Sequence, residues 1–175
     1  DGFTIACDNL NTIYSWGKSE EFQLGYDLKF QDADIVNGKK CRLNPTMVKK
    51  FDSKVVSMES GKDFTFVLTA DKKVYAWGNN ENQQIMPFKY FTQVLKPRQY
   101  KYTKCTLLDE LTDLELYDIK CGWSHSIAIC KKINKITSIS QVDINFKDNS
   151  TINKVDNENN SNLNINERKV IIWGS

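Results

Sequence analysis

The sequence predicts an all-β fold in which antiparallel four-stranded blades stack as a partial β-propeller, an arc of fewer than three blades. Three observations predict it. Trp-Gly closes an apolar run three times, at Trp16-Gly17, Trp77-Gly78 and Trp173-Gly174. The first two lie 61 residues apart and carry their surroundings with them. Phe3-Thr4-Ile5-Ala6-Cys7 falls on Phe64-Thr65-Phe66-Val67-Leu68, Ile13-Tyr14-Ser15-Trp16-Gly17 on Val74-Tyr75-Ala76-Trp77-Gly78, and Gln23-Leu24 on Gln84-Ile85. At the same offset, Gly61-Lys62-Asp63-Phe64-Thr65 recurs as Gly122-Trp123-Ser124-His125-Ser126. Self-similarity at such a period marks an array of like units, none of which buries its faces alone.

Each unit runs from a Gly through a short strand, a tight turn and a second strand ending in Trp-Gly, into a Gln-Leu loop. Phe64, Phe66 and Leu68 alternate with Thr65, Val67 and Thr69, and Val74-Tyr75-Ala76-Trp77 is rich in strand formers, so both runs read as half-buried antiparallel strands. The polar tetrapeptide Ala70-Asp71-Lys72-Lys73 between them is a hairpin connection. Upstream of each glycine a further apolar rhythm recurs, in Val55–Ser60 and Leu116–Cys121, and Ile127, Ile129, Val170 and Ile172 keep both strands of the third copy apolar. The Trp before each Gly is expected to plug the space between units, with an upper bound of roughly 5 kcal/mol from burying about 200 Å². The Gly after it lets the chain turn sharply out of the strand. Units of about 1–60, 61–121 and 122–175 result, the first beginning one position too late to include its opening glycine.

The pattern Gly-x-x-His-Ser/Thr, two strands, Trp-Gly, then Gln-Leu-Gly is similar to the repeat of the regulator of chromosome condensation family. Its best matches are Gly122-Trp123-Ser124-His125-Ser126 and Trp16-Gly17 followed by Gln23-Leu24-Gly25. The resemblance covers about residues 1–25, 45–86, 114–130 and 169–175. Phe3 and Phe64 stand where the family prefers His, and Phe22, Gln83 and Met86 where it prefers Gly, which marks a divergent segment. The resemblance implies a closed propeller of seven blades. Propellers close with about four to eight blades, so the natural protein is expected to be longer than this arc.

Composition narrows the remaining choices. The net charge of +2 and pI of about 8.2 are too balanced to mark a nucleic-acid binder. Cys7, Cys41, Cys105, Cys121 and Cys130 form no C-x-x-C pair, and their odd number suits a reducing compartment, cytoplasm or nucleus. No apolar stretch approaches the roughly 18 residues that span a membrane. Asp1 is not expected to be the natural start, so a targeting segment stays open. Residues 131–168 form an insertion within the last unit, with nine Asn and a single aromatic, Phe146, between Asp143 and Arg168. Such a stretch is expected to stay disordered or mobile, as a tolerated surface expansion or as a partner-docking tail. The sequons at Asn149 and Asn159 matter only in a secreted protein.

From Pro87 to Lys104 the chain carries Lys89, Lys96, Arg98, Lys101 and Lys104, five aromatics and no acid. Lys96, Arg98 and Lys101 are therefore candidates for partner binding, against the plainer reading that the stretch packs between two strands and is neutralised by Asp109, Glu110, Asp113 and Glu115. Lys39, Lys40, Arg42, Lys49 and Lys50 read as a solvated connector. His125, the only histidine, has no nucleophile, orienting acid or ligand set placed beside it by any motif, and Cys121 and Cys130 alone do not complete a zinc site. Its family position implies a structural, hydrogen-bonding role at strand entry. Trp16, Gly17, Gly61, Trp77, Gly78, Gly122, His125, Trp173 and Gly174 are thus read as structural repeat positions, with no catalytic, cofactor or metal residue among them.

No phosphate loop, carboxylate pair or nucleophile elbow is present, so bond-making chemistry is not expected in this segment. Two functions remain. The first is a scaffold whose loops meet protein partners, as the resemblance implies from members that include ubiquitin ligases, kinase-linked modules and light receptors. The second is guanine nucleotide exchange on a Ran-type small GTPase, the founding activity of the family. Docking to chromatin or nucleic acid, another founding trait, has no support in these residues.

Overall fold

The computed structural model describes residues 2–86, 99–130 and 169–174. They form three antiparallel sheets in chain order. β1 (Phe3–Cys7), β2 (Thr12–Lys18), β3 (Asp34–Val36) and β4 (Lys39–Lys50) make the first, in the order β1-β2-β4-β3. β5 (Val55–Ser60), β6 (Phe64–Thr69), β7 (Val74–Asn79) and β8 (Lys101–Leu107) make the second, laid side by side. β9 (Leu116–Cys121), β10 (His125–Cys130) and β11 (Lys169–Gly174) make the third. The register repeats as the sequence does: Thr4 faces Trp16, Thr65 faces Trp77 and Ser126 faces Trp173. The second and third sheets open one strand before the sequence period suggests, because Val55–Ser60 and Leu116–Cys121 pair forward with the strands after Gly61 and Gly122. The candidate insertion at 131–168 lies outside the described residues, as does the segment 87–98.

The middle sheet holds the core. Every residue of β6 is buried, because one of its faces lies on the first sheet and the other on the third. Phe64, Phe66, Val67, Leu68, Val74, Ala76 and Trp77 are all fully buried, and Phe66 meets Trp173 of the third sheet edge-on at 6.2 Å between ring centroids. In β10 burial alternates instead, with Ser126, Ala128 and Cys130 turned to the core. That difference between a two-sided and a one-sided strand follows from position in the stack.

Two hairpins and one short helix complete the frame. Ala70–Lys73 forms the expected tight connection, with Lys72 in the left-handed region at φ 66° and its N–H donating to the Thr69 carbonyl. Asn11, at φ 60°, takes the corresponding place after β1, and its side chain accepts from Val55 N–H at 3.1 Å. The connector expected from Lys39 to Lys50 is instead the long strand β4. It folds back from β3 through Asn37-Gly38, whose φ values of 51° and 74° define a type I′ turn. Cys41 is its one buried residue, and Leu43 and Met47 are exposed, so the strand carries no regular alternation for the sequence to show. A single helical turn, α1 (Asp109–Thr112), sets Leu108, Leu111 and Leu114 into the core.

Candidate protein-interaction face

The strands place two kinds of loop at opposite ends of the sheets. The Trp-Gly ends, the Gln-Leu loops and the tips at Gly61 and Gly122 share one end; the hairpins at Asn11 and Lys72 lie at the other. At the first end neighbouring sheets are joined by a repeated contact. Trp77 Nε1–H donates to the carbonyl of Gln23 at 2.9 Å, and Trp173 Nε1–H donates to the carbonyl of Gln84, also at 2.9 Å. Each indole thus reaches the Gln loop of the preceding sheet, which is why it lies at the end of its strand. Gly25 is required beneath it: a Cβ there would lie 2.9 Å from Trp77 Cε2, at a φ of 77°. Ser15 and Ser126 secure the same loops, their hydroxyls donating to the carbonyls of Leu24 and Gln84 at 2.6 and 2.7 Å.

Around the first junction the side chains form a polar network. Gln23 Nε2 donates to Asp63 Oδ1 at 3.1 Å, and Lys18 Nζ lies 3.6 Å from the same oxygen. Lys101 Nζ donates to Glu21 Oε2 at 2.8 Å, where Asn79 Nδ2 also donates at 3.2 Å. The Lys101 ammonium is held protonated above its ordinary range, first by that hydrogen bond to Glu21. Lys101, expected as a partner-binding candidate, is therefore engaged between sheets; Lys96 and Arg98 lie outside the described residues.

The glycine tips pack by the same rule. A Cβ on Gly61 would meet the Phe64 ring at 2.0 Å and the Gly122 carbonyl at 2.6 Å, and one on Gly122 would meet the His125 ring at 2.2 Å. An aromatic ring laid over the glycine is the local reason for Gly-x-x-Phe and Gly-x-x-His. Phe64 is buried beneath the next tip, whereas His125 is exposed. Gly78 and Gly174, at φ 104° and 102°, bring the strand end against Asp63 and Ser124, as Gly17 at 103° does against Gly2. Trp16 is only half-buried. Positions one repeat apart also pair directly: Lys120 Nζ donates to Glu59 Oε1 at 2.5 Å, and Lys62 N–H donates to the Trp123 carbonyl at 3.1 Å, with Lys62 Nζ 5.2 Å from the Trp123 ring centroid. These cross-sheet pairs were not legible from the repeat alone, although the offset of 61 residues between partners is the signal that finds them.

Among the described residues no group of three or more His, Cys, Asp or Glu is placed to hold a metal ion. Burial pushes the Cys105 and Cys121 thiols up to about 12, so both stay protonated and unreactive. No described helix is long and apolar enough to cross a membrane.

Stacked antiparallel sheets joined at Trp-Gly ends define a repeat protein of the β-propeller class. Two family models, both for the regulator of chromosome condensation (RCC1) repeat, match residues 11–68 and 55–84. An RCC1 repeat-containing protein of Dictyostelium discoideum is 32% identical over 85 residues, which are 49% of this chain and 16% of that protein. Alsin of Rattus norvegicus is 35% identical over 83 residues, 47% of this chain and 4% of alsin. In fold, the chain is similar to the crystal structure of Prp20p from Saccharomyces cerevisiae, with a TM-score of 0.55 and 18% identity, over 75% of this chain and 30% of that one. Residues 11–84 thus match RCC1 repeats, and the chain spans only a small part of these relatives.

Proposed function

We propose that these repeats form a protein-interaction scaffold, with the Trp-Gly end as the contact face. The observation that carries this reading is the contrast between the two layers of that end. Its backbone is fixed by buried bonds from Trp77 and Trp173 to neighbouring loops, while Lys62 and Glu20 remain open at its surface. A rigid frame with exposed, chemically mixed loop residues is what recognition demands, and loops on such scaffolds carry function. That this chain matches a small part of far longer relatives suits a module serving a larger protein. Five thiols free of disulfides suit a reducing compartment, so we place the protein in cytoplasm or nucleus.

A second reading, guanine nucleotide exchange on a Ran-type GTPase, is favoured by the likeness to Prp20p, whose structure was described together with its binding to Gsp1p and histones. Exchange would require only that the face bind the nucleotide-free GTPase better than the loaded one, which shifts its population toward release. The deciding experiment is release of fluorescent GDP from a Ran-type GTPase of the same organism by the full-length parent. The scaffold reading expects no acceleration from a folded parent. Acceleration by orders of magnitude at catalytic concentrations would replace it with the second.

A further inference from the structure

The turn between β3 and β4 is built on Asn37-Gly38, the only Asn-Gly step in the sequence. The pair suits a type I′ turn because both residues adopt positive φ at little cost. It is also chemically labile, since glycine has no side chain to shield its nitrogen from the asparagine amide. Both residues are exposed, and among the described residues neither the Asn37 amide nor the Gly38 N–H has a hydrogen-bond partner. A Cβ on Gly38 would meet nothing within 4 Å. β3 closes the turn with three pairs only, Asp34 with Cys41, Ile35 with Lys40 and Val36 with Lys39. Ile35 and Val36 are 48% and 45% exposed, so little apolar burial opposes opening of the tip. Other asparagines are guarded. Asn11 Oδ1 accepts from Val55 N–H at 3.1 Å, and Asn80 Oδ1 accepts from Ile85 and Met86 N–H at 2.8 and 2.9 Å. Asn44 precedes Pro45, whose nitrogen carries no proton.

We propose that Asn37 is a covalent modification site, at which water replaces the side-chain amide and the turn becomes an isoaspartyl link. When the tip opens, the Gly38 backbone nitrogen attacks Asn37 Cγ. An N–Cγ bond forms and closes a cyclic imide; the Cγ–Nδ2 bond breaks, and the amide leaves as ammonia with the Gly38 proton. Water then adds to one imide carbonyl. Cleavage at Cγ gives an aspartyl residue, whereas cleavage at the main-chain carbonyl gives the isoaspartyl link, whose chain runs through Cβ and Cγ. No oxidant or reductant is consumed. The link lengthens the backbone of a turn that needs positive φ at both central residues, and it sets a carboxylate beside Lys39 in the chain. Val36 and Lys39 then no longer pair, and β3 is released from the margin of the first sheet. This chemistry is independent of any partner and stands apart from the scaffold reading.

The test incubates the full-length parent in mildly alkaline heavy-oxygen water, folded or in urea, followed by digestion and mass spectrometry. Protein isoaspartyl methyltransferase supplies a second readout. Heavy oxygen should enter at residue 37, and the methyl-accepting site should map to the same peptide. In the folded parent that rate should exceed the rate at Asn80 at least about tenfold and stay within about tenfold of its own rate in urea. Asn37→Gly keeps residues suited to a type I′ turn and should abolish both signals. Amide exchange at Val36 and Lys39 should be faster in the isoaspartyl fraction than in the unmodified parent. Residue 37 unlabelled in the folded parent, labelled no faster than Asn80, or shielded far below its rate in urea overturns the site. Methyl acceptance that persists in Asn37→Gly overturns it too, and unchanged exchange in the isoaspartyl fraction overturns the release of β3.

Discussion

At the scale of single residues, Trp77 shows how one side chain serves two sheets. Its ring is fully buried in the core while its Nε1–H satisfies a buried carbonyl of the preceding loop. Truncation therefore opens a cavity and leaves the Gln23 acceptor unpaired. Trp77→Ala is expected to cost about 3–5 kcal/mol of unfolding free energy. Urea denaturation of the full-length parent checks it, and an unchanged midpoint would contradict the junction described above. Trp16, only half-buried, should cost distinctly less when truncated in the described arc. The Trp-Gly pairs were legible in the sequence because packing and turning requirements fall on adjacent residues. Less legible were Phe22 and Gln83, at φ 61° and 60°, which keep the left-handed conformation of the glycines the family prefers there. The backbone geometry survives where its usual residue does not, so the repeat persists in shape beyond the reach of its motif.

At the scale of elements, the polar network between the first and second sheets orders the loops more than it stabilises them. Lys101 and Glu21 are each about a third exposed, at 34% and 29%, so water screens most of their attraction. Lys101→Ala is expected to lower stability by about 0.5–1 kcal/mol, with the loss shrinking at high salt. A loss of several kcal/mol, or one indifferent to salt, would show the pair to be a core support rather than a loop tie. Sequence reasoning set Lys101 among partner-binding candidates because the cations of its segment alternate with aromatics, and it offered Asp109, Glu110, Asp113 and Glu115 as the neutralising acids. Its acid came from Glu21, 80 residues away, and no spacing rule connects them. The same limit hid β4. Lysine pairs at both ends of the strand read as a solvated connector until the pairing with β2 and β3 is seen. By contrast β6 and β7 were legible as strands but not in their burial: the alternation with Thr65 and Thr69 read as half-buried, whereas every residue of β6 is buried because sheets lie on both of its faces.

At the scale of the whole molecule, burial of titratable groups makes stability fall in alkali. Burial pushes Tyr102 up to about 12, with the Glu110 charge adding to it, and pushes the Cys105 and Cys121 thiols up to about 12 from a model-compound value of 9.0. Each folded-state value is raised, so the folded chain binds more protons than the unfolded one between the two values. The stabilisation is complete below the unfolded pKa and is lost as pH rises toward 12. For a thiol at pH 10.5 the difference of 1.5 units above 9.0 corresponds to about 2 kcal/mol. Urea midpoints measured under reducing conditions should therefore decline steadily from about pH 8.5 to 10.5, near where free thiols begin to ionise. Cys121→Ser separates this linkage from general charge repulsion. Serine already fills the equivalent place, Ser60, where its hydroxyl bonds to Thr65 at 3.0 Å as Cys121 neighbours Ser126 in the third sheet. The variant should keep the fold and flatten the alkaline slope by its own share. A slope identical to the parent's would mean that Cys121 meets solvent in the native protein, and that the third sheet is packed less closely against β5 than its contacts imply.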